Sequence, residues 1–255
     1  MEWPVVSVVI PLYNYQQYVC DAVYSCLEQK YPGKLEIIVV DDCSTDNSVI
    51  KLGQTFSKEQ YTLVRHKSNK GYSAAKNTGI RASSGELIVL LDADDMLTPD
   101  SINVRADYMR KRNAVGMAYG TAYVIHDEGG YEYYTKRMYK LGIHAGKKIH
   151  AQTTMIRRSV HLRFGLYDEN LRSRSDNEMW NRLNLYGLFP GAPKIFACRM
   201  DDKPFAFYRK HSASMVEYRK KNPIYNRDVT RTLEEAKQMR FREGITKENT
   251  PWLKR

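Results

Sequence analysis

No stretch of this 255-residue chain approaches the roughly 20 consecutive apolar residues that a membrane-spanning helix requires, so no span is read from it. Met1-Glu2-Trp3-Pro4 carries no basic region and the apolar run after it is short, so no signal peptide is read and a cytoplasmic location is the expectation. Cysteine is scarce. Cys20, Cys26, Cys43 and Cys198 form no Cys-x-x-Cys pair, which favours reduced thiols over a disulfide framework or a zinc site. The glycine-rich phosphate signatures are missing as well: where GxGxxG would follow a first strand, the chain reads Pro11-Leu12-Tyr13-Asn14-Tyr15, and there is no P-loop. Acidic residues are in deficit, 29 against 40 Lys and Arg, giving a net charge of +11. From Lys203 onward the imbalance is 14 Lys and Arg against 6 Asp and Glu. Such a surplus suggests an anionic partner, a nucleotide diphosphate or an acidic membrane surface, while the absence of any recognisable nucleic-acid module argues against DNA or RNA.

What is present is a folded α/β chain with one sizeable core, its hydrophobic content being 42%. Val5 to Ile10 is β-branched and bounded by Pro4 and Pro11, a short buried strand. Tyr18, Ala22 and Cys26, with Val19, Val23 and Leu27, repeat at i, i+4 and predict a helix that ends before Pro32-Gly33. Strands follow at Leu35 to Val40, Tyr61 to Val64 and Leu87 to Leu91, separated by helices through Val49, Leu52 and Phe56 and from Ala74 to Ala82. Alternation of this kind predicts a mostly parallel, doubly wound, Rossmann-like sheet flanked by helices. Beyond Thr98-Pro99, which reads as an N-cap with Pro at the first helical position, a helix is expected to about Asn113. Then come a strand from Val115 to Tyr123, an irregular segment or hairpin from Ile125 to Ile149, and a candidate strand from Thr153 to Ser159. A helix is expected after Arg174, ending at Gly187, then a late strand at Phe205 to Tyr208 and a charged helix from Asp228 to Glu243.

The chemistry gathers at Asp92-Ala93-Asp94-Asp95. A run buried on both faces releases these acids at its C-terminal end, where open α/β sheets bind ligands. Carboxylates spaced as Asp-x-Asp suit a divalent cation that keeps phosphate oxygens as further ligands; a solvated polar turn is the alternative. Parallel topology would bring the cluster after the second strand, Asp41 to Asp46, to the same edge.

Five stretches in order carry a resemblance: Val6 to Asn14, Val39 to Asp46, Asn69-Lys70-Gly71 with Ala75 to Gly79, Leu91 to Asp95, and Pro99-Asp100. They resemble the successive motifs of family 2 glycosyltransferases, which have the GT-A fold. Weaker likeness continues through Phe164 to Glu169, Ser175-Asp176 and Tyr208 to His211, and fades beyond about Val216. The resemblance implies a catalytic domain over residues 1–215, its nucleotide-binding half 1–113 and its acceptor-binding half 114–215 with an irregular C-terminal part, followed by a basic helical extension over 216–255.

It also implies inverting transfer from a nucleotide-sugar, commonly a UDP-sugar, to the hydroxyl of a glycan or lipid-linked acceptor. Carried over by position, Pro11, Tyr13, Asn14, Asp42, Gly71, Lys76 and Asp92 would surround the nucleotide, with Tyr13 offering an aromatic face and Asp42 accepting a hydrogen bond from base or ribose. Asp94, with Asp92 and His211, would hold Mn2+ or Mg2+, and Asp95 would belong to the loop's architecture. Arg209 or Lys210 could neutralise phosphate. The family's general base aligns with Asp176; the preceding family Glu is Ser175 here, which leaves Glu178 as the alternative base. Asp176 could instead only cap its helix, as Asp42 could only cap the helix beside Asp46. Cys43 stands where the family often has Gly, so its backbone is expected to avoid the left-handed region. Gly146 to Thr154, with His150 and Gln152, would border the acceptor.

Two rivals share this reading: a catalytically silent nucleotide-binding module on the same fold, and a sugar nucleotidyltransferase. The tail, with Val229, Leu233, Ala236 and Arg240 at helical spacing, could touch an anionic membrane surface peripherally. The sequence carries no signal for oligomeric state.

Overall fold

A computed structural model describes residues 2–127, 142–144, 149–171, 175–183, 196–212 and 214. The basic extension over 216–255, its expected helix at 228–243 and the helix end at Gly187 lie outside the described residues. In chain order the elements are β1 (Val6–Leu12), α1 (Val19–Leu27), β2 (Leu35–Asp41), α2 (Ser48–Thr55), β3 (Thr62–Arg65), α3 (Tyr72–Ala82) and β4 (Leu87–Leu90). They continue with β5 (Met96–Leu97), α4 (Ser101–Arg110), β6 (Val115–His126), β7 (Gly142–His144), a 3-10 turn (Ala151–Thr153), β8 (Met155–Arg157), α5 (Arg158–Phe164), α6 (Ser175–Arg182) and β9 (Phe196–Lys210).

One sheet runs in the order β3-β2-β1-β4-β8-β6-β9-β5, with β7 on β6. The first four neighbours are parallel, each delivered by a crossover helix, so the C-terminal ends of β1, β2, β3 and β4 share one edge. Beyond β4 the sheet is mixed: β8 is antiparallel to both β4 and β6, β9 is parallel to β6, and β5 is antiparallel to β9. Only the first half is therefore the parallel sheet that the alternation predicts.

The sheet is covered on both sides. Val6, Val8, Ile10 and Leu12 point to a core completed by α1, by Leu52 of α2 and by Ile102, Ala106 and Met109 of α4. Val9, Ile38, Val40, Ile88 and Leu90 face the opposite core with Ala75 and Ile80 of α3, Val160 and Phe164 of α5, and Met179 and Trp180 of α6. Period-two alternation thus sends each strand's neighbours into different layers. α3 lies close against the strands: a Cβ on Gly79 would stand 2.2 Å from Val9 Cγ1.

Several expected boundaries shift for identifiable reasons. Thr98-Pro99 does not open α4. Thr98 continues the β5 pairing, its N–H donating to Phe205 O at 3.1 Å and its hydroxyl to Pro204 O at 2.8 Å, and the helix starts at Ser101. The candidate strand at Thr153 to Ser159 shrinks to Met155–Arg157, and a helix from Arg158 takes the rest. β9 is far longer than Phe205 to Tyr208. Its polar stretch, Arg199 to Pro204, hides the strand periodicity, and β6 accommodates it through register shifts around Gly120 and Thr121. At Gly120 a Cβ would meet Met200 O at 2.5 Å, which is why that position has no side chain. Part of the segment expected to be irregular or a hairpin is β7, paired antiparallel with Ala122 to Val124. Among the described residues no helix is long and apolar enough to cross a membrane.

Candidate active site

In the strand order β3-β2-β1-β4 the winding reverses between β1 and β4, and the C-terminal edge at such a switch point is where open α/β sheets form their ligand crevice. Leu91 N–H donates to Val9 O at 3.0 Å, so the acids that follow emerge beside the loop after β1. Asp92, Asp94 and Asp95 each offer an oxygen within 4.8 Å of the others. Three like charges at this spacing resist joint ionisation. Burial, reinforced by the charge of Asp94, pushes Asp92 up to about 7, and the same two causes hold Asp95 well above the usual carboxylate range. Asp92 Oδ1 accepts the Tyr72 hydroxyl. Asp94 Oδ2 lies 2.9 Å from His211 Nε2, and burial together with the nearby Asp94 charge raises the pKa of the Tyr15 phenol. Asp95 turns inward: its Oδ1 accepts the Arg209 N–H at 2.8 Å, in keeping with an architectural role.

The acid cluster meets the requirements of a hard divalent cation. Its donors are carboxylate oxygens with an imidazole beside them, and a cation would relieve the repulsion that raises Asp92. Two buried atoms, Asp95 Oδ2 and His211 Nδ1, have no hydrogen-bond partner among the described residues. His211 is 6% exposed and packs between Tyr15 and Tyr18, ring centroids 5.9 and 4.8 Å away, so it is not a lone surface histidine.

Other sequence-predicted residues serve the scaffold. Asp42 is 2% exposed; its Oδ1 meets His66 Nδ1 at 2.7 Å and the Lys70 N–H at 2.8 Å, and its Oδ2 accepts the Gly71 N–H at 2.7 Å. It ties the turn after β2 to the entry of α3. Gly71 caps α3 with φ 94°, a conformation that suits glycine. Asn14 Oδ1 accepts the Thr45 N–H at 2.8 Å, and the Asn14 backbone N–H donates to Ser44 Oγ at 3.0 Å, so Asn14 ties the loop after β1 to the loop after β2. Pro11 is buried within β1, paired with Val40, whereas Tyr13 beyond it is 43% exposed at the crevice edge. The expectation for Cys43 is corrected: its φ is 65°, inside the left-handed region, so the turn keeps a glycine-like shape and the side chain bears the strain.

Lys76 requires the largest correction. It is fully buried, its Nζ 2.7 Å from Asp176 Oδ1 and 2.9 Å from Ser175 Oγ, and it stands over the rings of Tyr72 and Tyr167 at 4.2 and 3.7 Å. An ammonium so enclosed cannot reach a nucleotide at the crevice surface. Burial pulls its pKa down while the charge of Asp176 pushes it back. Asp176 opens α6 with its side chain 29% exposed, and Lys76 is its ion-pair partner. Glu178 is removed as the alternative base. It is 2% exposed and bonded to Arg182 through both oxygens, at 3.2 and 3.0 Å, on the interior face of α6. Arg209 is likewise not a phosphate ligand: its guanidinium is buried, donating to Asp94 O at 2.9 Å and Asp21 Oδ2 at 2.9 Å, stacked over Tyr18.

The family model Glycosyl transferase family 2 matches residues 7–174, more than half of the chain, including Asp92, Asp94 and Asp95 and ending before Asp176 and His211. The chain belongs to glycosyl transferase family 2. A chondroitin synthase of Escherichia coli is 30% identical over 198 residues, 75% of this chain and 28% of that protein. An Escherichia coli enzyme named UDP-Glc:alpha-D-GlcNAc-diphosphoundecaprenol beta-1,3-glucosyltransferase is 31% identical over 122 residues, 48% of this chain and 47% of that protein. The chain spans less than half the length of these curated relatives. Among solved structures, Staphylococcus aureus TarS 1–349 in complex with UDP-GlcNAc superposes with a TM-score of 0.64 at 18% identity, over 82% of this chain and 59% of that one. A Pyrobaculum calidifontis mannosyltransferase in complex with GDP-Man and Mn2+ gives 0.61 at 17% identity, over 96% and 77%. Both likenesses show the GT-A fold.

Within this family 2 frame, sequence reasoning overlooked Tyr72, Tyr15 and Ser175. Tyr72 follows Gly71 directly and lies one helical turn before Lys76, a spacing that places both side chains on one face of α3. That signal was available. Tyr15 and Ser175 offered none, because what they touch is set by loops far away in sequence.

Proposed function

We propose that this family 2 chain is an inverting glycosyltransferase that moves a sugar from a nucleotide-sugar, a UDP-sugar in our reading, to an acceptor hydroxyl. The observation that carries the proposal is the pairing of two carboxylate sites along α3: Asp92 with Asp94 at the crevice, and Asp176 at the start of α6. The first suits a nucleotide diphosphate, the second an incoming hydroxyl. Support for UDP comes from relatives whose names or complexes specify it, and support for a metal from the donor set described above and from the manganese-bound mannosyltransferase.

In this mechanism Tyr13 offers its exposed ring to the base, while Asp42 holds the turn after β2 against the entry of α3. Asp94 and Asp92 would hold Mn2+ or Mg2+, with His211 beside Asp94; when bound, the cation stabilises the negative charge gathering on the departing diphosphate. Asp176 orients the acceptor hydroxyl and takes its proton as the acceptor oxygen attacks the anomeric carbon from the face opposite the leaving group. Inversion follows from that single displacement. The acceptor, in this reading, is a glycan or lipid-linked glycan presented at the cytoplasmic side, as in polysaccharide assembly.

The test is release of UDP from UDP-glucose and UDP-N-acetylglucosamine with Mn2+ present, compared with Asp176→Asn. Turnover by the parent with a loss of about 100-fold or more in the variant supports the assignment. Tight UDP binding with equal, near-zero rates in both would instead indicate a silent binding module, and pyrophosphate release from a nucleoside triphosphate would indicate a nucleotidyltransferase.

A further inference from the structure

The buried ammonium between the two carboxylate sites has no place in the mechanism so far. Lys76 reaches Asp176 Oδ1 and Ser175 Oγ at ordinary hydrogen-bond distances, with the Tyr72 and Tyr167 rings on its flanks and no exposure to solvent. The same helix reaches the other site as well. One turn before Lys76, the Tyr72 hydroxyl donates to Asp92. Two further side chains of α3 hold the loop that leads into α6: Ser73 Oγ donates to Leu171 O at 3.1 Å, and Asn77 bonds both Tyr167 O and the Tyr167 N–H, at 2.8 and 2.9 Å.

We propose that Lys76 is a positioning residue for the base: it fixes Asp176 Oδ1, so that Oδ2 faces the acceptor hydroxyl, and α3 sets the separation between donor diphosphate and base through Tyr72 and Lys76. This inference rests on the reading of Asp176 as the base. The proton balance is simple. The bond from the acceptor oxygen to the anomeric carbon forms as the bond from that carbon to the diphosphate oxygen breaks, its electron pair leaving with the diphosphate. The hydroxyl proton passes to Asp176. Lys76 keeps its own proton throughout, and its enclosure between two rings removes the freedom that would let the carboxylate turn away.

The experiment compares Lys76→Met, Asp176→Asn and the double variant with the parent. UDP release from UDP-glucose and UDP-N-acetylglucosamine with Mn2+ gives kcat and KM, and UDP binding is measured by calorimetry. The expected result is a fall in kcat of about 30-fold or more for Lys76→Met, with donor KM and UDP affinity changed less than threefold. In the double variant kcat should fall no further than in Asp176→Asn, because both changes remove one unit. Ser175→Ala deletes a single buried hydroxyl and keeps the test alive if Lys76→Met does not fold; it should lower kcat about threefold to tenfold at unchanged KM. Parental kcat in Lys76→Met, or in Ser175→Ala where the former does not fold, overturns the inference. So does a tenfold loss of UDP affinity at unchanged kcat, which would return Lys76 to the nucleotide, and so does a fully multiplicative double variant. Parental kcat in Asp176→Asn overturns the base reading itself, whereas loss there with none in Lys76→Met removes only the positioning role. A parent that turns over neither donor removes both.

Discussion

The two halves of the sheet are built by different rules. From β1 to β4 each strand is parallel to its neighbour and each connection is a helix of ordinary length, so a run such as Leu87 to Leu90 identifies its own place. From β5 to β9 the pairings join strands far apart in sequence: β5 pairs with β9 across more than 100 residues, and β8 slips antiparallel between β4 and β6. The candidate site lies on the seam. Its acids come from the first half, while the groups that orient them, Arg209, His211 and the start of α6, come from the second. Acidic chemistry can therefore be read locally, but its geometry depends on distant partners.

The largest effect should separate chemistry from scaffold within the acid loop. Asp94→Asn is expected to lower kcat about 1000-fold, roughly 4 kcal/mol of transition-state stabilisation, while the melting temperature stays within a few degrees. Equal activity would detach the acids from the reaction. Next is the tie across the seam. Arg209→Ala removes the buried guanidinium that donates to the Asp94 carbonyl and to Asp21 Oδ2 and should cost about 2–4 kcal/mol in denaturant unfolding. A cost no larger than that of a surface change would mean that the halves do not depend on this clamp.

Within the first half, Gly79→Ala forces a methyl against Val9 and should destabilise by about 1–3 kcal/mol, read as a lower urea midpoint. The acid cluster makes a smaller, pH-dependent contribution. Asp92 is raised to about 7 in the metal-free fold, so between the ordinary carboxylate range and pH 7 the native state binds more protons than the unfolded chain. Stability arising from this group is full at low pH and declines as pH rises through 7. The metal-free melting temperature should accordingly fall by a few degrees from about pH 5 to pH 8; Mn2+ should reverse the trend, and Asp92→Asn should flatten it. A melting temperature rising over that range would contradict the assignment. The smallest effect is expected at Cys43→Gly. Relief of the left-handed strain and the added freedom of the unfolded chain nearly cancel, giving a change within about 0.5 kcal/mol by thermal denaturation.

Legibility in the sequence follows the same division. The strands of the first half announce themselves by β-branched runs, and Asp92, Asp94 and Asp95 by their place at the end of one. Cys43 was misread because residue type was taken to forbid a conformation that the surrounding loop imposes, with Asp41 Oδ1 accepting the Ser44 N–H at 3.0 Å and the Asn14 amide bonded to the residues beyond. β9 was read as four residues because Arg199 to Pro204 break its alternation, whereas pairing with β6 supplies the hydrogen bonds that local propensity does not.

What the sequence alone determined is the family, the parallel nucleotide-side sheet and the presence of carboxylates at its edge. These rest on periodicity and on motifs whose residues lie close together, and such signals survive without a partner. What only the tertiary structure decided is the work of each polar side chain. Lys76 and Asp176 are 100 residues apart and meet at 2.7 Å, and Glu178, two positions from Asp176, turns to the opposite face of the same helix to pair with Arg182. The physical reason is that a buried charge must find its counter-ion, and the place of that counter-ion is a property of the packed chain rather than of any stretch of it.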